Sequence, residues 1–321
     1  MVTINRLAPI QNWQTKAWPE FITMTDSAEI DRSDSDFLSE GTKCAGWLFC
    51  PQGIEKPPVV ILAHGFAGER AFGLVDFARE FLGNGYATFV FDYRTFGDSD
   101  GSPRNLVDPT HHGADWDAAI AHVRNIDQVD HDRIILWGTS FSGAHVICAA
   151  ARDQKVTATI SQVPFSGIPK GPDIPKAKVS FGLMVHILWD LVKTAVTGSP
   201  HYVPVVGPPG STALLNTPEC EPGYRALIPE GTTFDNRVPA KSMLKIGGSD
   251  PISAAEKIVC PALVIAAEQD SLVPIEQAKY MASKLKNGEL HTLACNHFAP
   301  YREEWFKENV KIQIDFLKRV L

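Results

Sequence analysis

The sequence lacks any long hydrophobic run. Its longest apolar stretch, FGLMVHILW from Phe181, carries a histidine and falls far short of the roughly 20 residues that a membrane-crossing helix needs. No membrane association is expected. The N-terminal stretch MVTINRLAPIQNWQ has no apolar core behind a basic start, so a secretory signal is not expected and the mature chain should begin near Met1. Basic runs are also missing. The 30 Lys and Arg residues face 37 Asp and Glu residues, a formal net charge of −7, which argues against nucleic-acid or anionic-membrane partners. The six cysteines, Cys44, Cys50, Cys148, Cys220, Cys260 and Cys295, show no C-x-x-C spacing. Most sit among apolar neighbours, which argues against structural zinc and suits buried thiols in a reducing, cytoplasmic compartment. No P-loop, G-x-G-x-x-G or H-E-x-x-H pattern occurs, and no cofactor or metal is expected.

What is present is a globular chain of 321 residues, 44% of them hydrophobic, long enough for one large domain or a domain with an insertion. FLSEG and KCAGWLFCP flank a Glu40-Gly41 turn and predict an antiparallel hairpin. Strand-like and helix-like segments then alternate: PVVILAH, AFGLVDFAREFLGNG, ATFVFDY, ADWDAAIAHVRN, RIILWG, SGAHVICAAARD and VTATISQ. That rhythm predicts βαβ units and a mainly parallel sheet with helices on both faces, an α/β fold. It stops near Pro164 and resumes at PALVIAAEQD, followed by PIEQAKYMASKLKNG, GELHTLA and a closing helix from about Arg302. Residues 1–163 and 258–321 therefore read as the core, and 164–257 as an inserted cap. Its prolines at 200, 204, 208, 209, 218, 222 and 229 forbid long regular elements there, and its Tyr, Val and Leu content argues for order.

Within ILWGTSFSGAHVI a strand gives way to a helix at Ser140, with Gly138 before it and Ser142 and Gly143 after it. A turn this tight needs small neighbours, lifts the serine Oγ clear of the sheet and aims helix N-terminal N–H groups at whatever binds. Serine is a weak nucleophile without a histidine oriented by a carboxylate. Asp270 follows the strand-like LVIAAEQD and His297 follows LHTLACNHF, each just past a strand end. Glu268 is too close to its strand and Asp250 falls in the insertion. His145, His186 and His291 read as packing residues, and HHGAD at 111–115 as a solvated helix start. The expected oxyanion donors are the N–H groups of Phe141, directly after the serine, and of Phe66 in LAHGFAGER, where Gly65 permits close approach. His64, Asp92, Arg94 and Asp98 are expected to shape loops.

HGF, DYRTFGDSDG, GTSFSG, EQDSLVP and NHF, in this order across about residues 55 to 300, resemble the α/β-hydrolase superfamily. WGTSFSGAHV and HYVPVVGPPG resemble more narrowly its dienelactone-hydrolase-like branch, which includes bacterial hydrolases and fungal polyketide transferases. The resemblance implies an eight-stranded, mostly parallel sheet, no cofactor, a catalytic triad on Ser140, Asp270 and His297, and oxyanion donors on Phe66 and Phe141. Two positions depart from it: Ser142 replaces the common glycine, and Ala299 stands where the narrower branch often has an acidic residue.

The expected activity is hydrolysis of an ester, thioester or lactone through an acyl-enzyme. Acyl transfer by the same triad and a non-catalytic ligand-binding role are the alternatives. Phe165, Phe181, Met184, Trp189, Tyr202 and Tyr224 in the insertion are candidate pocket residues for a hydrophobic small-molecule substrate, or else the cap's own core. The apolar cap also offers a surface for a homodimer.

Overall fold

The computed structural model describes residues 3–5, 32–167 and 181–321. The secretory-signal reading falls mostly on residues outside these, as do positions 168–180 of the inserted segment. Strands β1 (Thr3–Asn5), β2 (Arg32–Asp34), β3 (Phe37–Ser39), β4 (Thr42–Cys44) and β5 (Gly46–Phe49) come first. Next are β6 (Val59–Ala63), α1 (Leu74–Gly83), β7 (Ala87–Phe91), α2 (Pro109–Val123), β8 (Ile134–Thr139), α3 (Phe141–Arg152) and β9 (Ala158–Gln162). The inserted segment contributes α4 (Phe181–Thr197), β10 (Tyr202–Val203), α5 (Cys220–Arg225), β11 (Val238–Pro239), α6 (Ser242–Lys245) and α7 (Pro251–Ala255). The chain closes with β12 (Ala262–Ala267), α8 (Ile275–Lys284), β13 (Gly288–Leu293) and α9 (Glu303–Val320).

One sheet runs in the order β1-β13-β12-β9-β8-β6-β7-β5-β2. Every neighbouring pair from β1 to β7 is parallel, and β7-β5 and β5-β2 are antiparallel. The expected eight strands lie between Arg32 and Leu293, and Thr3–Asn5 adds a ninth beside β13. This edge strand escapes sequence reading because three residues carry no periodicity. The predicted hairpin forms as β3-β4, with Glu40 and Gly41 at φ 47° and 82°. Its second arm breaks after Cys44, and β5 joins the main sheet.

Alternation along the central strands builds the two faces. On β6, Val59, Ile61 and Ala63 join a core with Trp116 and Ile120 of α2 and Val146 of α3. Val60 and Leu62 face the other way, onto Phe77 and Phe81 of α1 and Val310, Ile314 and Leu317 of α9. Strands buried on both sides read as continuous apolar runs, as here. Helix α2 starts at Pro109, earlier than ADWDAAIAHVRN suggested, because Asp108 caps it by accepting from the Thr110 N–H and proline suits the first helical position.

Among the described residues no helix is long and apolar enough to cross a membrane. Cys44, Cys220 and Cys295 are buried, and burial pushes the Cys295 thiol up to about 12.

Candidate active site

Strands β6, β8, β12 and β13 run parallel, so the loops at their C-terminal ends meet on one edge of the sheet, where open α/β sheets bind ligands. Ser140 occupies the single residue between β8 and α3, at φ 53° and ψ −115°. Such a backbone is costly for a residue with a Cβ and persists only where its surroundings enforce it. The Ser140 N–H donates to Gln162 O on β9, and its carbonyl accepts from the N–H groups of Gly143 and Phe165. A Cβ at Gly138 would overlap the Ser142 carbonyl, so the small residue read from the sequence is a steric requirement.

The structure brings His297 and Asp270 to this serine. His297 Nε2 lies 3.0 Å from Ser140 Oγ, and His297 Nδ1 lies 2.6 Å from Asp270 Oδ2. The His297 and Asp270 side chains are both almost fully buried. The second carboxylate oxygen, Asp270 Oδ1, accepts from the N–H groups of Leu272 and Val273 at 2.8 and 2.7 Å, which locks the plane of the carboxylate. With Nδ1–H donating to Asp270, Nε2 is left as an acceptor facing the serine hydroxyl. The rival acids stand elsewhere: Glu268 accepts from Thr292 Oγ1, and Asp250 caps α7.

The loop after β6 crosses in front of Ser140, where a Cβ on Gly65 would sit 3.1 Å from Ser140 Cβ. Among the described residues the Phe66 N–H donates to no acceptor in the chain. Phe141 is the first residue of α3, so its N–H has no intrahelical acceptor. The two rings pack edge to face at 5.7 Å, and Tyr224 in the inserted segment donates its hydroxyl to the Phe66 carbonyl at 3.1 Å. His64 is buried and donates from Nδ1 to Gly65 O at 2.9 Å, and burial holds its pKa down at about 4.

The loop-shaping residues behave as expected. Asp92 accepts from the Arg70 and Asp98 N–H groups, Arg70 pairs with Asp98 at 2.6 Å, and Arg94 pairs with Asp115 at 2.7 Å. HHGAD does not: His112 is only 2% exposed, and its ring stacks on Tyr93 with centroids 4.1 Å apart. The cause is the earlier start of α2, which turns His112 onto the same inward stripe as Asp115 and Trp116.

The candidate pocket residues divide. Tyr224 is buried beside the loop after β6, and Phe165 packs on Phe141 with centroids 5.5 Å apart. Tyr202 is half-buried, with its hydroxyl donating to Arg104 O. Phe181, Met184 and Trp189 are 86%, 40% and 54% exposed, so they are not part of the cap's own core. Helix α4 buries its Leu183, Ile187 and Asp190 stripe, and Phe181, Met184 and Trp189 fall off that stripe.

Two features escaped the sequence reading. A buried polar network joins β8 to α9. Gln162 Nε2 donates to Thr139 Oγ1, Asn309 and Gln313 donate to Gln162 Oε1, and Trp137 Nε1 donates to Gln313 Oε1. Its only sequence signal is Asn309 and Gln313 four residues apart among Val310, Ile314 and Leu317. Glu219, in the proline-rich stretch, reaches both loops that carry Asp270 and His297, and nothing local in the sequence marks it.

This geometry has relatives. The quorum-quenching protein AidA of Acinetobacter baumannii is 38% identical over 288 residues, 90% of this chain and 95% of its own length. The polyketide transferase af380 of Aspergillus fumigatus is 29% identical, with 91% of this chain and 99% of its own covered. The crystal structure of the alpha/beta hydrolase GrgF from Penicillium sp. sh18 superposes with a TM-score of 0.76 at 25% identity, over 91% of this chain and 99% of its own. Residues 60–308, a span that holds Ser140, Asp270 and His297, match the alpha/beta hydrolase family, and the chain belongs to that family.

Proposed function

We propose that the protein is a serine hydrolase that cleaves an ester, thioester or lactone of a hydrophobic small molecule through an acyl-enzyme on Ser140. The observation that carries this reading is the unbroken chain from Ser140 Oγ through His297 to Asp270, seated on a strained turn at the N-terminus of α3. His297 Nε2 takes the hydroxyl proton as Ser140 Oγ bonds to the substrate carbonyl carbon. The carbonyl oxygen gathers negative charge and is received by the N–H groups of Phe66 and Phe141, aided by the α3 dipole. Collapse breaks the bond to the leaving group, which takes the proton from His297. Water, deprotonated by the same nitrogen, then releases the acid and restores the serine.

Phe66 and Phe165 pack on Phe141, the residue after Ser140, and Tyr224 is buried against Phe66 O; this apolar neighbourhood suits a hydrophobic acyl or alcohol group. AidA's description as quorum-quenching supports a small-molecule substrate. The likeness to af380, described as a polyketide transferase, favours a second reading in which an alcohol or amine replaces water in the release step.

The test is turnover of chromogenic esters of increasing acyl length, and of lactones, by wild type beside Ser140→Ala. Activity is expected to fall by roughly a thousandfold or more in the variant. A variant as active as wild type removes Ser140 from the chemistry. Adding alcohols or amines and measuring the product ratio separates transfer from hydrolysis.

A further inference from the structure

We propose that Glu219, in the inserted segment, is a positioning residue that ties the Asp270 loop to the His297 loop and thereby sets the imidazole against Ser140. The role rests on Ser140 being the nucleophile, as proposed above. The two oxygens of this carboxylate serve different loops. Oε1 accepts from the Ser271 N–H at 2.8 Å and also from the Ser271 hydroxyl, one residue after Asp270. Oε2 accepts from the His297 N–H at 3.2 Å. A single side chain therefore holds the backbone at Ser271, next to Asp270, and at His297.

The surrounding contacts make this a built arrangement. Thr217 Oγ1 lies 2.7 Å from the same Ser271 hydroxyl. The Gly223 N–H donates to Glu219 O at 3.0 Å, which sets Glu219 at the start of α5. The α5 backbone at Gly223 rests directly on the Phe298 ring, next to His297. Tyr224, one residue on, reaches the oxyanion loop at Phe66 O. Residues 217–224 thus reach three of the four loops of the site, those after β6, β12 and β13. The acid loop holds itself from the other side, since the Leu272 and Val273 N–H groups donate to Asp270 Oδ1. Beside Glu219, the two loops are joined by the Asp270–His297 hydrogen bond itself and by the Gln269 N–H donating to Cys295 O at 2.9 Å. Among the described residues the Glu219 carboxylate accepts from the Ser271 N–H and O–H and the His297 N–H, so its part is to orient, with no proton transfer to substrate.

The chemistry requires a carboxylate. A glutamine has one acceptor oxygen, and its NH2 group cannot accept from a backbone N–H. Glu219→Gln must therefore lose either the Ser271 side or the His297 side of the tie.

The experiment compares wild type, E219Q and S271A as full-length proteins, by ester turnover and by the downfield proton NMR signal of His297 Nδ1–H. For E219Q, kcat is expected to fall roughly 10- to 100-fold with KM within about twofold, because a displaced base affects the reacting geometry. The Nδ1–H signal should broaden or move upfield while the melting temperature is held. S271A, which keeps the His297 contact, should lose less. An unchanged kcat with an intact signal overturns the proposal. So does a loss carried by KM alone, or a fall in kcat matched by unfolding in E219Q with S271A unaffected in both readouts. S140A in the same assay judges the nucleophile separately: if it retains turnover, that reading fails, while the NMR comparison still decides whether Glu219 positions His297.

Discussion

Ser142 shows how a side chain added to a tight turn is accommodated. Its side chain is fully buried, and its Oγ shares a 2.5 Å hydrogen bond with Tyr93 OH, which in turn accepts from Trp116 Nε1 at 2.7 Å. The serine that stands in place of the common glycine therefore links the turn to the loop after β7 and to α2. Ser142→Ala leaves the buried Tyr93 hydroxyl one partner short, and its expected cost is about 1–3 kcal/mol. Urea unfolding measures it, and an unchanged midpoint would show that the Tyr93 bond contributes nothing net. Arg94 was legible as a loop residue from its Gly/Asp-rich turn. Its partners Asp115, Glu40 and Ser39 were not, because they come from other parts of the chain.

At the scale of the element, α9 carries an inward stripe that is partly polar. Val310, Ile314 and Leu317 pack on the sheet, while Asn309 and Gln313 on the same side enter the network that ends at Thr139, the residue before Ser140. Tyr301, just before α9, also bonds Thr139 Oγ1. Gln313→Leu removes the acceptor of Trp137 Nε1 and one donor to Gln162. Each orphaned buried group costs about 1–3 kcal/mol, so the variant is expected to melt several degrees lower. Calorimetry checks this, and an equal or higher melting temperature would mean that leucine packing outweighs the lost bonds. Helix periodicity located α9, but it scores Asn and Gln as solvent-facing, so the network stayed hidden until the partners on β8 and β9 were in place.

Across the whole molecule, the three histidines around Tyr93 make stability depend on acid. His64, His112 and His145 are buried, and desolvation lowers all three, His64 to about 4 and His145 to about 3. Below about pH 6.5 the unfolded chain protonates imidazoles that the folded protein keeps neutral, so the unfolded state gains and stability falls as pH drops towards 4. Asp92, raised by burial to about 6, works the other way, since the folded protein holds a proton there that the unfolded chain has released. His145→Phe isolates one histidine. Its stability should fall less steeply between pH 6.5 and 4 than wild type, by at most about 1.4 kcal/mol per pH unit. Parallel stability curves for the two proteins would rule out this contribution.

By itself the sequence determined the alternating α/β order, the serine turn, and Ser140, Asp270 and His297 as residues that follow strand ends. These are readable because strand and helix periods and tight-turn sterics act over a few neighbouring residues. Tertiary structure alone decided the edge strand at Thr3–Asn5, the burial of His112, the outward turn of Phe181, Met184 and Trp189, and the reach of Glu219 to Ser271 and His297. Each depends on which distant segment the fold sets beside the residue. Glu219 and His297 are 78 positions apart, and no local pattern encodes a contact over that distance.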